Sequence, residues 1–194
     1  MITRVSKVVM PIMVRTGQVF SDRLGVFASD EEGLFALLSS APHYWWAISR
    51  SSTMKADLNY TPTDVFETFV RPDLNDRLRH LGHGLDHDRR DVMLSRQAGL
   101  TATYNLVHDP ACTDADIVGL RALHRDIDHA VFDAYGWTDL DPVHDHVETR
   151  QGIRWTIDLA TRQEMLDRLL QLNHQRYAEQ QGDEPADDHK GRLF

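Results

Sequence analysis

The sequence predicts an α+β fold: a small, β-rich N-terminal section with one helix, followed by a mainly helical C-terminal section. Three observations support this prediction. Short apolar stretches separated by turn residues fill the start of the chain, as in β-strands. From Leu74 onward, apolar residues recur at steps of three, four or seven, which is the spacing of one helix face. Three patterns in which Ser or Thr precedes an acidic residue by three positions are typical of helix starts.

Two strands are expected near the start of the chain. The apolar stretches 5–14 and 19–27 flank a turn at Gly17, so we expect the two strands to pair. Pro11 has no amide hydrogen to donate to a neighbouring strand, which places the first strand at a sheet edge or a bulge.

A helix with many aromatic residues follows these strands. Ser29 and Glu32 form the first capping pattern, directly before an apolar run. The helix is expected to run to Pro42 and to resume through Trp45 and Ile48.

The segment 49–63 is polar, and we expect a loop there with a short strand around Leu58. A small apolar patch follows and ends at Arg71 and Pro72, where we place the boundary between the two sections. The expected parts of the chain are therefore 1–72 with the strands and the aromatic helix, 73–180 as a helical extension, and 181–194 as a flexible tail.

In the C-terminal section, apolar spacing and capping patterns predict helices separated by short breaks. The predicted elements are a helix from Leu74, a helix over 100–107, a helix that opens at Thr113 and ends at Gly136, a strand over 152–157, and a helix that opens at Thr161. A polar loop that contains His144 and His146 is expected before the strand.

Composition narrows the function classes. With 41% hydrophobic and 26% charged residues, the 194-residue chain has the composition of a soluble globular protein. No apolar stretch approaches the roughly 20 residues that span a bilayer, and no signal-peptide pattern is present. We therefore expect a cytoplasmic protein without a membrane partner. The single Cys112 excludes an internal disulfide and a multi-thiolate zinc site.

The net charge of -9 argues against a free-standing, non-specific DNA-binding protein, because duplex binding depends on Lys and Arg that neutralise phosphates. The charge is distributed unevenly. Residues 1–60 carry +1, and the remainder carries -10. The N-terminal third is therefore the better candidate for contact with a nucleic acid.

Three histidines at helical spacing, His80, His83 and His87, raise the alternative of a small metal-dependent hydrolase. The Glu of a His-Glu-x-x-His motif is missing, and Gly82 and Gly84 loosen the turn that would hold the ligands. A solvated helix face is therefore the favoured interpretation, and we predict no metal ligand and no catalytic residue. No nucleophile elbow or phosphate-binding loop is recognisable.

Another candidate site lies directly after the aromatic helix. The aromatic group 43–46 is expected to pack in the core, with stacking on an exposed base as the alternative. The segment 50–55 combines hydroxyl groups with the cations Arg50 and Lys55, and such groups contact phosphates and base edges. A solvated loop is the alternative interpretation of this segment.

Several motifs, in a fixed order along the chain, are similar to those of one enzyme family. They are Ser6-Lys7, the residues 16–20, the residues 37–40 with His43 and Trp46, the long segment 52–69, Arg89-Arg90, and the residues 99–105, 108–110, 123–124, 134–137 and 169–173. The set resembles type IIG restriction-modification enzymes and the related adenine-specific DNA methyltransferases, including the MmeI-like group. The resemblance extends to about Ala178.

The resemblance implies that 1–72 is part of a target-recognition section and that 73–180 is its helical C-terminal extension. In such enzymes both follow the catalytic methyltransferase core. The sequence contains no Asn-Pro-Pro-Tyr motif, no Gly-rich loop for S-adenosylmethionine and no recognisable nuclease motif. We therefore expect a DNA-sequence-recognition fragment that is not catalytic alone. Its expected partners are double-stranded DNA and a methyltransferase or nuclease region, in cis or in trans, that binds S-adenosylmethionine.

The candidate DNA-binding residues come from the N-terminal section. We expect phosphate or guanine contacts from Lys7, Arg15, Arg50 and Lys55, and hydrogen bonds near base edges from Ser52, Thr53 and Asn59. A solvated surface position is the alternative for each of them. The alternative for the whole chain is an interaction scaffold or decayed fragment that packs on a methyltransferase core without binding DNA.

Overall fold

The computed structural model describes residues 1–6, 8–54 and 57–182, and it describes 52–54 and 57 by their backbone alone. The fold is α+β and mainly helical, as the sequence predicts. The helices are α1 (Glu32–Ser39), α2 (Ala41–Arg50), α3 (Pro62–Val65), α4 (Asp76–Ser95), α5 (Leu100–His108), α6 (Ala115–Ala134) and α7 (Leu159–Gly182). The strands are β1 (Ile2–Thr3), β2 (Val5–Ser6), β3 (Leu24–Gly25), β4 (Ser52–Met54), β5 (Asp57–Asn59), β6 (His144–Thr149) and β7 (Gly152–Ile157).

The N-terminal strands form two small antiparallel sheets. β1 pairs with β3. In the second sheet β5 lies between β2 and β4, so that Asn59 is opposite both Val5 and Ser52. The short strand expected around Leu58 is therefore the centre of this sheet. The two sheets are joined at Arg4, which is the single residue between β1 and β2. The carbonyl of Arg4 also accepts a hydrogen bond from the amide of Tyr60, directly after β5 (2.6 Å).

The predicted strands 5–14 and 19–27 are wrong in extent, since residues 8–20 form no strand. Their expected pairing is also wrong, because β2 pairs with β5 and β3 pairs with β1. Backbone groups of this segment form hydrogen bonds with other parts of the chain. The amide of Ile12 donates to the carbonyl of Met1 (2.9 Å), and the carbonyl of Pro11 accepts a hydrogen bond from Arg89 (3.1 Å). Pro11 is buried at this crossing and does not lie at a sheet edge.

Every predicted helix is present, but acidic side chains take the place of the Ser and Thr caps. The carboxylate of Glu31 accepts a hydrogen bond from the amide of Gly33 (3.2 Å) at the start of α1. The carboxylate of Asp158 accepts from the amides of Ala160 (2.8 Å) and Thr161 (3.0 Å) at the start of α7. A carboxylate at this position also favours the positive end of the helix dipole.

β6 and β7 form a hairpin in which only β7 is predicted from the sequence. β6 lies where the sequence predicts a polar loop. Its residues alternate between the two faces, so His144 and His146 share one face and Asp145 lies on the other. The backbone of Gly152 has a φ of 93°, a left-handed conformation that favours glycine and permits the tight turn.

One cluster of buried residues extends through both sections of the chain. It includes Ile2 and Trp46 from the N-terminal section and Leu78, Ile127 and Leu169 from the helices. The small sheets therefore rest on a helical base. The division of the chain at residues 72 and 180 stays a prediction.

α4 lies directly against α1 at Gly82. A Cβ atom at this position would be 1.9 Å from the carbonyl oxygen of Glu32, whereas the nearest atom to a Cβ at Gly84 would be 3.9 Å away, in Leu123. Gly82 therefore sets the distance between the two helices, a role that the sequence did not indicate. None of the helices in the described part of the chain has the length and apolarity to cross a membrane.

Candidate functional site

The aromatic helix α2 is anchored in the core, as the favoured interpretation predicts. The side chains of Trp45 and Trp46 are buried, and their indole N–H groups donate to Thr156 (3.1 Å) and Thr68 (3.2 Å). These hydrogen bonds fix the direction in which α2 ends. Since β4 begins two residues after Arg50, they also fix the position of the proposed DNA-binding segment.

His43 connects α2 to the sheet. Its Nδ1 atom faces the carbonyl of Leu38 (2.8 Å), and its Nε2 atom faces the hydroxyl of Tyr60 (3.0 Å). A carbonyl can only accept, so Nδ1 carries the proton and the Tyr60 hydroxyl donates to Nε2. Burial lowers the pKa of His43 to about 4, so the ring is neutral near pH 7.

The structure describes only some of the residues that we expect to contact DNA. Arg15 and Arg50 are exposed, and Asn59 is half-buried in β5. The backbones of Ser52 and Thr53 lie in β4, with Ser52 opposite Asn59. Lys7 and Lys55 lie outside the described residues. The DNA contacts of all seven stay predictions.

Arg50 lies beside an aromatic ring that holds it at the surface. Its guanidinium carbon is 4.4 Å from the centre of the Trp46 ring, a cation–π arrangement. The guanidinium therefore has a defined position although the side chain is exposed. Because a planar guanidinium can form two parallel hydrogen bonds to a phosphate or to guanine, Arg50 is well placed for such a contact.

The N-terminal arginines have no acidic partners. Within the described residues, Arg4, Arg15, Arg23 and Arg50 form no ion pair. Asp22 touches this group only through its carbonyl, which accepts a long hydrogen bond from Arg4 (3.4 Å). These four arginines are therefore uncompensated within the part of the chain that the structure describes.

Two of the few acidic residues in the N-terminal section are engaged by α4. The carboxylate of Glu31 binds Arg79 (3.0 Å), and that of Glu32 binds His83 (2.8 Å). Both pairs lie on the side of α1 that faces the helices. The other charged residues of 1–60 therefore sum to a more positive net charge than the +1 of the whole segment.

The helical section shows the opposite pattern. Several of its arginines form ion pairs with nearby carboxylates: Arg77 with Asp133, Arg90 with Asp86, Arg96 with Asp114 and Asp116, and Arg168 with Asp139 and Glu164. The excess of acidic residues then leaves this section negative. Phosphate groups are expected to avoid it.

The histidines proposed as ligands in the hydrolase alternative lie on the exposed face of α4. His83 is bound to Glu32, which raises the pKa of this histidine, and His87 lies 3.3 Å from Asp88. His80 is exposed. Across the described residues, no group of three His, Cys, Asp or Glu side chains has the geometry of a metal site.

A pocket with several polar side chains in its wall lies between the helices and the hairpin, and sequence reasoning missed it. The pocket has a volume of about 90 Å³. Its polar lining includes Tyr44 of α2, Arg89 of α4, His108 of α5, His124 and Asp128 of α6, and Arg154 of β7. Five elements contribute these groups, so no local motif marks the pocket. The alternation of His144 and His146 was the one local signal of a strand at its wall.

Asp128 links three elements at the edge of the pocket. One carboxylate oxygen accepts a hydrogen bond from the amide of Ala41 at the start of α2 (2.6 Å), and the other faces Nε2 of His144 (2.8 Å). Nδ1 of His144 faces the carbonyl of Pro142 (2.7 Å). Both carboxylate oxygens of Asp128 therefore have hydrogen-bond partners at the pocket wall.

The two other pocket histidines are neutral near pH 7. Burial lowers the pKa of His108 to about 3 and that of His124 to about 4. The amide of Trp155 donates to Nδ1 of His108 (3.1 Å), and the hydroxyl of Tyr104 lies 2.7 Å from Nε2 of His124. The side chains of this cluster are therefore held in fixed orientations by hydrogen bonds.

Comparison with known proteins gives one structural similarity. No family model and no curated protein matches the chain. Among solved structures, the chain is similar to the type IIL restriction-modification enzyme MmeI, determined in complex with DNA, with 17% sequence identity and a TM-score of 0.48. The similarity covers 77% of this chain and 17% of that enzyme, so the chain spans less than a fifth of its length.

Proposed function

We propose that the chain is a DNA-sequence-recognition unit of a restriction-modification methyltransferase and that it acts together with a separate catalytic region. The observation that carries this proposal is the set of uncompensated arginines around the N-terminal sheets: Arg4, Arg15, Arg23 and Arg50. Duplex binding depends on such cations, because they replace the counterions of the phosphates. The sheets share a buried cluster with the helices of the negatively charged C-terminal section.

Arg50 is the centre of the proposed DNA-binding surface. The Trp46 ring holds its guanidinium in place, and β4 begins directly beyond it. β4 then runs opposite β5, so the positions of Ser52 and Asn59 are neighbours in the sheet. We infer that Arg15 and Arg50, with Lys7 and Lys55, contact phosphates or guanine, and that Ser52, Thr53 and Asn59 lie near base edges.

The sequence motifs suggest that DNA recognition and methyl transfer belong to different regions. The ordered set of motifs resembles the recognition part and helical extension of type IIG enzymes, whereas the motifs that bind a flipped adenine and S-adenosylmethionine are missing. We infer that methyl transfer belongs to a catalytic region that this chain does not contain. That region would bind S-adenosylmethionine.

The experiment that tests this proposal is the salt dependence of duplex binding by the full chain, measured by fluorescence anisotropy. The variant carries Arg15→Ala and Arg50→Ala, and the matched control carries Arg77→Ala and Arg125→Ala. Both change the net charge equally, but the control removes arginines that already have acidic partners. We expect weak binding by the wild-type chain at low salt. In the variant, the slope of the logarithm of affinity against the logarithm of salt concentration should fall in magnitude by roughly 0.9 for each phosphate that is no longer neutralised.

The control is expected to retain the wild-type slope. If the variant retains it as well, the arginines of the N-terminal section do not contact the phosphates. If variant and control reduce the affinity equally, binding reflects net charge alone, and the proposed surface is wrong.

Exposed apolar side chains favour a second candidate function, an interaction scaffold that packs on a methyltransferase core without binding DNA. Val143, Leu159 and Ile153 are 55%, 61% and 49% exposed near the hairpin, and Tyr177 is 62% exposed on α7. This function predicts self-association of the isolated chain without duplex affinity. A monodisperse monomer in light scattering contradicts it.

A further inference from the structure

The pocket between α2, α4, α5, α6 and the hairpin presents hydrogen-bond donors that have no acceptors. The hydroxyl of Tyr44 and Nε of Arg154 are buried, and neither has a hydrogen-bond partner within the described residues. His108 accepts at Nδ1 from the amide of Trp155, so its neutral ring carries the proton at Nε2. A buried polar group without a partner costs free energy, so these groups indicate a missing acceptor.

Arg89 adds a buried positive charge to the same pocket. It is 4% exposed, and its Nη1 atom donates to the carbonyl of Pro11 (3.1 Å). No carboxylate forms an ion pair with it in the described part of the chain. Burial of a cation without a counter-charge is costly, so the charge of Arg89 favours an anionic ligand.

Arg154 is close to the other donors. Burial raises the pKa of Tyr44 and lowers that of His108, and the nearby charge of Arg154 acts on both groups in addition. Asp128 is the one acidic side chain among the described lining residues, and it is engaged by His144 and by the start of α2. The pocket is therefore positive within a chain whose net charge is -9.

The volume limits the size of the ligand. The pocket measures about 90 Å³. A cavity needs roughly 10–15 Å³ to hold one water-sized group, so this pocket has room for roughly six or more groups of that size. A carboxylate or a phosphate, with one small substituent, fits this space.

We propose that this pocket is a binding site for a small oxyanion, a carboxylate or a phosphate, held by Arg89, Arg154 and the hydroxyl of Tyr44. The anion accepts hydrogen bonds from the Tyr44 hydroxyl and from Nε of Arg154, which have no partner within the described residues, and its negative charge offsets the positive charge of the arginines. This site lies apart from the N-terminal arginines, and the proposal does not depend on DNA binding.

The test is isothermal titration calorimetry of the full chain in Tris-chloride buffer at pH 7.5 and constant ionic strength. One arm uses inorganic phosphate and the other uses sodium acetate, each up to about 10 mM, at which a ligand with a Kd of about 1 mM is mostly bound. We expect saturable binding of one equivalent in at least one arm. Phosphate binding alone identifies a tetrahedral dianion, and acetate binding alone identifies a carboxylate.

Two pairs of variants locate the binding. Tyr44→Phe removes one hydroxyl from the pocket, and its control Tyr177→Phe removes an exposed hydroxyl from α7. Arg154→Gln removes one of the two arginine charges of the pocket, and its control Arg150→Gln removes an exposed arginine at the turn of the same hairpin. A hydrogen bond to a charged group corresponds to about 10-fold to 100-fold in affinity, so we expect Tyr44→Phe to weaken binding by that factor and Tyr177→Phe to leave it unchanged.

A wild-type chain that binds neither anion overturns the proposal, and so does equal weakening in a pocket variant and its control. If Arg154→Gln does not fold, as judged by circular dichroism, Tyr44→Phe decides the test, because it retains the aromatic ring. Tyr44→Phe is also expected to leave duplex binding unchanged. The oxyanion site and the DNA-recognition function can therefore fail separately.

Discussion

Replacement of Gly82 by alanine gives a sharp test of the packing between α1 and α4. The new Cβ atom would lie 1.9 Å from the carbonyl oxygen of Glu32 and 2.7 Å from its carbonyl carbon. Both atoms belong to backbone, so no side-chain rotation relieves the overlap. To reach van der Waals distance, the helices must separate by at least about 1 Å.

Two opposing effects determine how much Gly82→Ala changes the free energy of unfolding. Alanine in an open helix position stabilises a protein by about 0.4–1 kcal/mol relative to glycine. Overpacking in a dense core costs about 1–3 kcal/mol or more, and α1 contributes the buried Phe35 and Leu37 to the core that must open. We expect Gly82→Ala to lower the free energy of unfolding by about 2 kcal/mol, which is a fall in Tm of roughly 4–8 °C for a domain of this size.

Gly84→Ala is the matched control, because it lies two residues away in the same helix and its Cβ would meet nothing closer than 3.9 Å. We expect this variant to be more stable than the wild type by about 0.5–1 kcal/mol. Urea denaturation followed by circular dichroism measures both variants. If Gly82→Ala is as stable as Gly84→Ala, α1 and α4 do not approach each other as described.

Two further predictions concern buried polar groups. Burial lowers the pKa of His43, His108 and His124 below the unfolded value, so the native state excludes protons that the unfolded state binds. The resulting stability is present above about pH 6.5 and is lost as the pH falls towards about 4, by up to roughly 3 kcal/mol per histidine. Urea denaturation between pH 7.5 and pH 4.5 measures this loss, and a free energy of unfolding that does not change with pH contradicts it. Arg121 donates to four backbone carbonyls at the end of α5, so we expect Arg121→Met to cost at least about 3 kcal/mol, whereas the exposed Arg125→Met on the same helix should change stability by less than about 0.5 kcal/mol. Equal urea midpoints for these two variants contradict the role of Arg121.

The helices could be predicted because their signals are local. The spacing of Leu78, Leu85 and Val92 defines the buried face of α4, and all three are buried in the structure. The N-terminal strands could not be predicted in the same way. In the apolar run that suggests a strand around Pro11, the carbonyl of Pro11 instead accepts a hydrogen bond from Arg89, which is 78 positions away in the sequence. Such a long-range contact leaves no pattern in a local window.

The two candidate sites differ in how far the sequence predicts them, because one is formed by neighbouring residues and the other by long-range contacts. The DNA-binding segment could be proposed because hydroxyls and cations are adjacent in sequence, and Arg50 is exposed as expected. The pocket could not be proposed, because Tyr44, Arg89, His108 and Arg154 come from four separate elements. In the sequence each of these residues is compatible with a solvated position. Only the packing of the hairpin against α5 and α6 buries them together.

The measurement that tests the DNA-recognition account most directly is amide hydrogen exchange of the full chain with and without a saturating duplex at low salt. If the uncompensated arginines contact the phosphates, exchange slows in β2, β4 and β5 and at the end of α2 near Arg50, and it stays unchanged in α6 and α7. Slowed exchange confined to α6 and α7, or no change anywhere at saturation, contradicts the account.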